Sequence, residues 1–286
     1  MSVLTNGELL RSLPEKIKKG LLLADKDGLY ELHLRKDAPV TVNIGGENFF
    51  IGDGGICSLQ KAYRISGREL DETVKYLCKG SVYSFEETIK KGYIPFGNVR
   101  VGVCTRLSYS GVVPSAVTSL NIRFFHPRSD SSKPLLPLFS RRPASVIVWA
   151  PPCTGKTTLL CDLAYNLSGA SGFAAYRVAI ADERFEFSSD PRLSLCDIYS
   201  GWDKALAIES ATRTMSAQIV ICDEIGSENE AAAILRAQNT GVFLVASAHA
   251  ESLAGLYARP QIKLLLESGI FAYSYGLCEK EPKRLC

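Results

Sequence analysis

Two short runs carry residue types able to handle a nucleoside triphosphate. The first is APPCTGKT, Ala150 to Thr157, which begins where the apolar run SVIVWA ends and leads into TTLLCDLAYNL, a stretch with helical spacing. A loop between a strand and a helix N-terminus points backbone N–H groups at one spot, where they hold phosphate oxygens. Gly155 leaves room for the backbone to approach, Lys156 brings positive charge to the β and γ phosphates, and the Thr157 hydroxyl suits Mg²⁺. Pro152, Cys153, Thr154 and Thr158 complete the expected ATP cradle. Ala150 stands where the strict pattern has its first glycine. The competing readings are a turn that merely spells GKT, and a cradle that binds nucleotide without hydrolysing it.

The second run is QIVICDE, an apolar strand pattern ending in two carboxylates. Asp223 is the candidate to hold magnesium, through the shell of Thr157 or a bridging water. Glu224 is the candidate to orient or deprotonate the attacking water. An acidic helix cap after a strand is the alternative. ADER, Ala181 to Arg184, also follows an apolar run. There Glu183 could orient water or metal, and Arg184 could meet phosphate or a neighbouring subunit; a surface salt-bridge cluster is the alternative. Arg213 precedes QIVICDE on a helical stretch and could approach a nucleotide across an interface, or be an ordinary solvated arginine. His249 follows VFLVASA and could sense the γ-phosphate, or be satisfied within the fold.

These residues need a scaffold that brings strand ends together. From residue 144 onward, apolar runs of strand length (SVIVWA, YRVAIA, QIVICD, VFLVAS) alternate with helical stretches (KALAIESATRTM, ENEAAAILRAQN). That alternation predicts a parallel-rich sheet covered on both faces, with ligands beyond the carboxyl ends of the strands. The Ser- and Pro-rich stretch 129–143 reads as a linker. Before it, residues 1–128 read as a smaller α+β domain. Strands are expected at LYELHLR, VTVNI, RVGVC and SLNIRFF, a helix at RELDETVKYLCKG, and an amphipathic helix over the first 20 residues.

Composition narrows the partners. The chain has 286 residues and a formal charge of +3, too small to argue for nucleic acid. Apolar residues make up 46% and charged residues 22%, a globular balance. No run reaches the roughly 18 apolar residues of a membrane span, and the N-terminus does not read as a secretory signal. Nine cysteines, an odd number with no C-x-x-C pair, read as free thiols in a reducing compartment.

The order of the motifs resembles the secretion ATPase superfamily: APPCTGKT as Walker A, IADERFEF as acidic box, AQIVICDEIG as Walker B, and TGVFLVASAHAESLAGL as histidine box. Over nearly the whole length the chain resembles the stage III sporulation protein AA family. ELHLRKDAPV, GYIPFGNVRVGVC, SLNIRF, PPCTGKTTLLCDLA, ADERFEF, TRTMSAQIVICDEIG and SAHAESL carry that likeness. The resemblance implies a RecA-like P-loop ATPase domain, residues 144–286, behind the N-terminal domain. It implies ATP and Mg²⁺ as ligands and a homo-oligomeric, hexameric ring. It also implies a cytoplasmic place on the mother-cell side of a channel into the forespore, with membrane proteins of that sporulation complex as partners. Lys156 and Thr157 match Walker A, Asp223 and Glu224 Walker B, Glu183 the acidic box and His249 the histidine box, while Arg100 and Arg123 match N-domain arginines that reach nucleotide in related motors. Two departures stand out: Cys153 replaces a usual glycine, and SSDPRLSLCDIYSGWDK is short and divergent. Ala150 and Cys153 motivate an alternative, a nucleotide-gated assembly scaffold with negligible hydrolysis. A nucleic-acid motor is the third reading, disfavoured by charge.

Overall fold

The computed structural model describes residues 7–24, 28–97, 99–108, 111–124, 129–152, 154–188 and 190–285, and only the backbone of residues 100, 107, 108 and 111–116. The chain divides into two compact units, residues 1–126 and 127–286.

The first unit is a seven-stranded antiparallel sheet with helices. Its strands are β1 (Leu29–Arg35), β2 (Ala38–Pro39), β3 (Thr41–Ile44), β4 (Glu47–Gly52), β5 (Gly55–Cys57), β6 (Arg64–Ile65), β7 (Tyr93–Phe96), β8 (Val99–Ser108) and β9 (Gly111–Phe124). The order is β5-β4-β3-β1-β9-β8-β7, with β2 and β6 paired separately. Its helices are α1 (Gly7–Ser12), α2 (Glu15–Leu23), α3 (Gly67–Leu77) and α4 (Glu86–Lys90). The single N-terminal helix expected over residues 1–20 is broken between α1 and α2, where Pro14 has no N–H to continue the ladder; residues 1–6 lie outside the described residues. α3 starts on a capping box in which Ser66 and Glu69 satisfy each other's backbone N–H groups. It buries Leu70, Val74 and Leu77 in the same core as Leu32, Leu34 and Ile122 of the sheet.

The second unit holds the predicted α/β pattern. Its strands are β10 (Val146–Ala150), β11 (Val178–Asp182), β12 (Asp197–Ser200), β13 (Ile219–Cys222), β14 (Phe243–His249), β15 (Tyr273–Gly276) and β16 (Pro282–Arg284). They lie in the order β12-β11-β13-β14-β10-β15-β16, and all pairs are parallel except the last. Between them run α5 (Lys156–Leu167), α6 (Lys204–Thr214), α7 (Glu228–Gln238), α8 (Leu253–Tyr257) and α9 (Pro260–Glu267). Alternate residues of one strand feed opposite cores. Val146 and Val148 join the core under α5, whereas Ile147 and Trp149 join the one under α6, α7 and α9. Burial pushes the Cys222 thiol, on β13, up to about 12.

Residues 129–143 belong to this second unit. Leu135 and Phe139 are fully buried beside Val146, Leu159 and Leu163, and the Tyr176 hydroxyl donates to the Phe139 carbonyl at 2.8 Å. Ser and Pro composition masks these two apolar anchors. Phe139→Ala should therefore cost about 3–5 kcal/mol, whereas a free linker would lose almost nothing. Urea unfolding followed by tryptophan fluorescence checks this, because both tryptophans, Trp149 and Trp202, sit in the second unit and report on it alone.

Candidate active site

Four neighbouring strands, β11, β13, β14 and β10, end at one edge of the parallel sheet. Their carboxyl ends deliver the residues singled out by type and spacing. The register sets Ala150 beside His249 and Cys222 beside Ala246, so the phosphate loop, the histidine and the acidic pair Asp223–Glu224 emerge together.

The loop after β10 reaches α5 through Gly155, which takes φ +99°, a left-handed conformation natural to glycine. The N-cap of α5, Gly155, supplies no side-chain cap, and the first amides of a helix have no intrahelical acceptor. Ala150 needs no glycine: it is the last residue of a regular strand and lies outside the positive-φ set. The Lys156 side chain is buried and folds back over the loop. Its Nζ donates to the carbonyls of Ala150 (3.0 Å) and Pro151 (2.8 Å) and to His249 Nδ1 (2.8 Å). The Thr154 hydroxyl donates to the Pro151 carbonyl at 2.7 Å. Pro152 is exposed and Thr158 half-buried on the first turn of α5, while Cys153 lies outside the described residues.

Opposite the loop, the Thr157 hydroxyl lies 2.9 Å from Asp223 Oδ2 and 3.0 Å from Glu186 Oε2. Its one proton serves only one of them at a time. Burial works against ionisation of Asp223. Hydrogen bonds from Ser247 (2.6 Å), from Glu186, from Thr157 and from the Glu224 amide outweigh it and hold the carboxyl below its ordinary value. Glu186 is a residue that sequence reasoning missed. It sits three positions beyond Glu183, the acid expected to orient water or metal. Buried Asp182 makes the difference. Its carboxylate accepts the amides of Glu186 (2.7 Å), Phe187 (3.2 Å) and Ser188 (2.8 Å), wrapping the chain so that Glu186 turns inward. Phe185 takes φ +56° in this wrap, and its ring presses on Gly201, where a Cβ would come within 2.6 Å. Glu183 is exposed, but it lines the same small cleft, about 10 Å³, as Glu186, Lys204, Asp223 and Glu224. That is room on the scale of one water.

The Glu224 carboxylate is held from two sides. Arg184 donates to Oε2 at 3.1 Å, and His249 Nε2 lies 3.2 Å from Oε1. With Nδ1 accepting from the Lys156 ammonium, His249 carries its proton on Nε2 and donates it to Glu224. One imidazole thus joins the phosphate-loop lysine to the acid at the end of β13.

Within the second unit, one candidate stands away from this edge. Arg213 is exposed in the last turn of α6, about 14 Å along the helix axis from Lys204 at the site end. Arg123 lies in the first unit, exposed and ion-paired to Glu31 at 3.2 Å, and it faces Arg100 across the β8–β9 ladder. The side chain of Arg100 lies outside those described.

The donor set fits magnesium bound together with a polyphosphate. Two carboxyls sharing a hydrogen bond beside a threonine hydroxyl form a hard-oxygen site that a divalent cation would relieve of its like-charge conflict. Among the described residues, no three His, Cys, Asp or Glu side chains are grouped to hold a metal by themselves. Phosphate oxygens and water would have to complete the shell, as is usual for magnesium.

Comparison with known proteins agrees with this architecture. The family model described as sporulation stage III, protein AA matches residues 6–284. Stage III sporulation protein AA of Bacillus subtilis (strain 168) is 31% identical over 280 residues, covering 92% of this chain and 88% of that protein. The X-ray structure of the Legionella pneumophila ATPase DotB superposes with a TM-score of 0.58 at 13% identity, covering 86% of this chain and 71% of DotB. The pilus retraction motor PilT, crystallised with bound ADP, gives 0.62 at 17% identity, covering 91% of this chain and 76% of PilT. At such identities the likeness to both structures is one of fold, and it is the expected RecA-like α/β core with a parallel-rich sheet.

The Asp223 network sets a pH signature. Its folded-state carboxyl titrates below the unfolded value of roughly 3.9, so its ionisation contributes stability that is in place above about pH 4 and lost as pH falls through the folded value. Ser247→Ala should destabilise the second unit by about 1–3 kcal/mol near neutrality. The deficit should hold between about pH 8 and 5 and shrink below about pH 4. Urea titrations across that range read it, and a deficit insensitive to acid would mean that the bond is not made to an ionised carboxylate.

Proposed function

The chain belongs to the sporulation stage III protein AA family, and on that premise we propose that it is a Mg²⁺-dependent ATPase working as a homo-oligomeric ring. One observation carries the reading: Lys156, Thr157, Glu186, Asp223, Glu224 and His249 meet at one sheet edge around the mouth of an uncapped helix. Amide dipoles at the start of α5 and the Lys156 ammonium suit the β and γ phosphates of ATP. Thr157 and Asp223 would hold magnesium, with Glu186 beside them, and the metal when bound supplies charge neutralisation on the phosphates.

The chain's own residues account for the remainder. A triphosphate offers the Lys156 ammonium anionic oxygens in place of two carbonyls and an imidazole, which releases His249 Nδ1, and a proton taken up there would let the ring donate to the γ-phosphate. Glu224, oriented by Arg184 and His249, is placed to accept a proton from a water in the adjoining cleft. Glu183 lines that cleft and supports the same water. Arg213 stands at the far end of its helix, so it is suited to completing the site of a neighbouring copy, and Arg184, although it holds Glu224 in its own site, is exposed enough to reach a neighbour as well. Arginine supplied in trans makes turnover depend on assembly. Among the described residues no helix is long and apolar enough to cross a membrane. We place the ring in the mother-cell cytoplasm, held at the forespore by membrane proteins of the same sporulation complex.

Phosphate release measured against protein concentration, with light scattering on the same samples, tests the ring: the rate per subunit should rise as the oligomer forms. Glu224→Gln should lower kcat about 10²-fold or more while ATP still binds, and Lys156→Ala should abolish binding. Glu186→Gln should raise the magnesium concentration needed for half-maximal rate about tenfold, and Glu183→Gln much less. A wild-type chain that binds ATP and assembles but releases no phosphate would be the nucleotide-gated scaffold instead.

A further inference from the structure

One buried charge at the site has no part in the chemistry above. Lys204, the first residue of α6, is 7% exposed in its side chain, and its Nζ donates to the main-chain carbonyl of Glu224 at 2.7 Å. The same ammonium lies 3.4 Å from Glu230 Oε1 on α7. The other oxygen of Glu230 accepts the amides of Gly226 (2.7 Å) and Ser227 (3.2 Å). Lys204 therefore reaches past the end of β11 to hold the turn between β13 and α7 at both of its ends.

That turn contains a conformation in need of a hold. Glu224 sits at φ +33°, on the left-handed side that a residue with a long side chain rarely adopts. Its amide is fixed by Ser247 Oγ (2.9 Å), and the next amide, of Ile225, by the Ser247 carbonyl (2.8 Å). The carbonyl of Glu224 is the group that Lys204 fixes. A peptide plane pinned on both sides leaves the Cα–Cβ vector one direction, and that direction carries the carboxylate between Arg184 and His249.

We infer that Lys204 is a positioning residue: by holding the Glu224 carbonyl it keeps that residue left-handed and its carboxylate at the cleft. The inference rests on the ATPase reading for its kinetic consequence, but not for its structural one. Without the ammonium the Glu224 peptide relaxes toward ordinary strand or helix geometry, and the carboxylate swings away from the water. Nucleotide affinity does not change, because the hydrogen bond and the ion pair of Lys204 go to Glu224 and Glu230 and not to the phosphate loop.

The test uses the full chain with Lys204→Met, which keeps the length and loses the donor, and Lys204→Arg, which keeps a charged donor. Lys204→Met should lower kcat about tenfold or more, with KM and ATP affinity within about threefold of wild type, and Lys204→Arg should restore most of kcat. Glu230→Gln, a milder change that still accepts both amides, should lower kcat about threefold. Amide exchange provides a readout independent of turnover. The Glu224 and Ile225 amides should exchange about tenfold faster in Lys204→Met, with those of Glu186 and Ser188 unchanged. Unchanged exchange overturns the inference whether or not the wild type hydrolyses ATP. So does a kcat within about twofold of wild type in Lys204→Met, or a loss of kcat matched by an equal rise in KM that arginine does not rescue. Wild-type protein without phosphate release, but with faster exchange in Lys204→Met, would refute the ATPase reading and leave the positioning role standing.

Discussion

Two carboxyls share a hydrogen bond beside one threonine hydroxyl, largely away from water. Asp223 and Glu186 could not both carry charge there without help, since like charges at that range raise each other's proton affinity. Ser247, Thr157 and a backbone amide supply that help to Asp223, and they come from β14, α5 and the chain after β13. On the proposed reading, the site holds these acidic groups ready for a cation. Much of the second unit serves to keep three neighbouring elements in the one register that permits it.

The acidic loop after β11 is itself built on buried charge. Asp182 gathers three successive amides, and a few residues on, Arg192 lies against Asp190 (2.8 Å) and Asp162 (3.5 Å). Asp162 is on α5, the helix that begins with Lys156, and it also accepts the Ser132 hydroxyl and amide. The phosphate-loop helix and the acidic loop are therefore joined twice, at Thr157–Glu186 and again at Asp162–Arg192. A shift of one relative to the other would leave buried charges unpaired, which is costly enough to keep the pair moving as one body.

His249 gives the site its connectivity. It takes one hydrogen bond from Lys156 and gives another to Glu224, so the protonation of one ring ties the residue expected at the phosphates to the residue expected at the water. That arrangement depends on β14 lying between β13 and β10, the strand order that also buries both faces of the sheet.

Lys156, Thr157, Asp223, Glu224 and His249 were legible because each follows an apolar strand run at a fixed short distance, and parallel strands deliver such positions to one edge. The alternation of strand and helix was legible for the same reason: period and run length are local properties. Glu186 was hidden among three acids in ADERFEF. Which of them faces Thr157 depends on the amides that Asp182 collects, on Phe185 turning left-handed, and on Gly201 leaving room for its ring. Leu135 and Phe139 were hidden by Ser and Pro neighbours, and Pro14 broke a helix that its flanking periodicity would have continued. Ser247 and Lys204 carry no local sign of their roles. The sequence by itself determined the chemistry available and the edge at which it gathers, because those follow from spacing along single strands. Only the tertiary structure decided which carboxylate meets the threonine and which lysine holds the strained acid, because those contacts join residues 20 or more apart, the first between side chains and the second to a main-chain carbonyl, and spacing along a single strand reports neither.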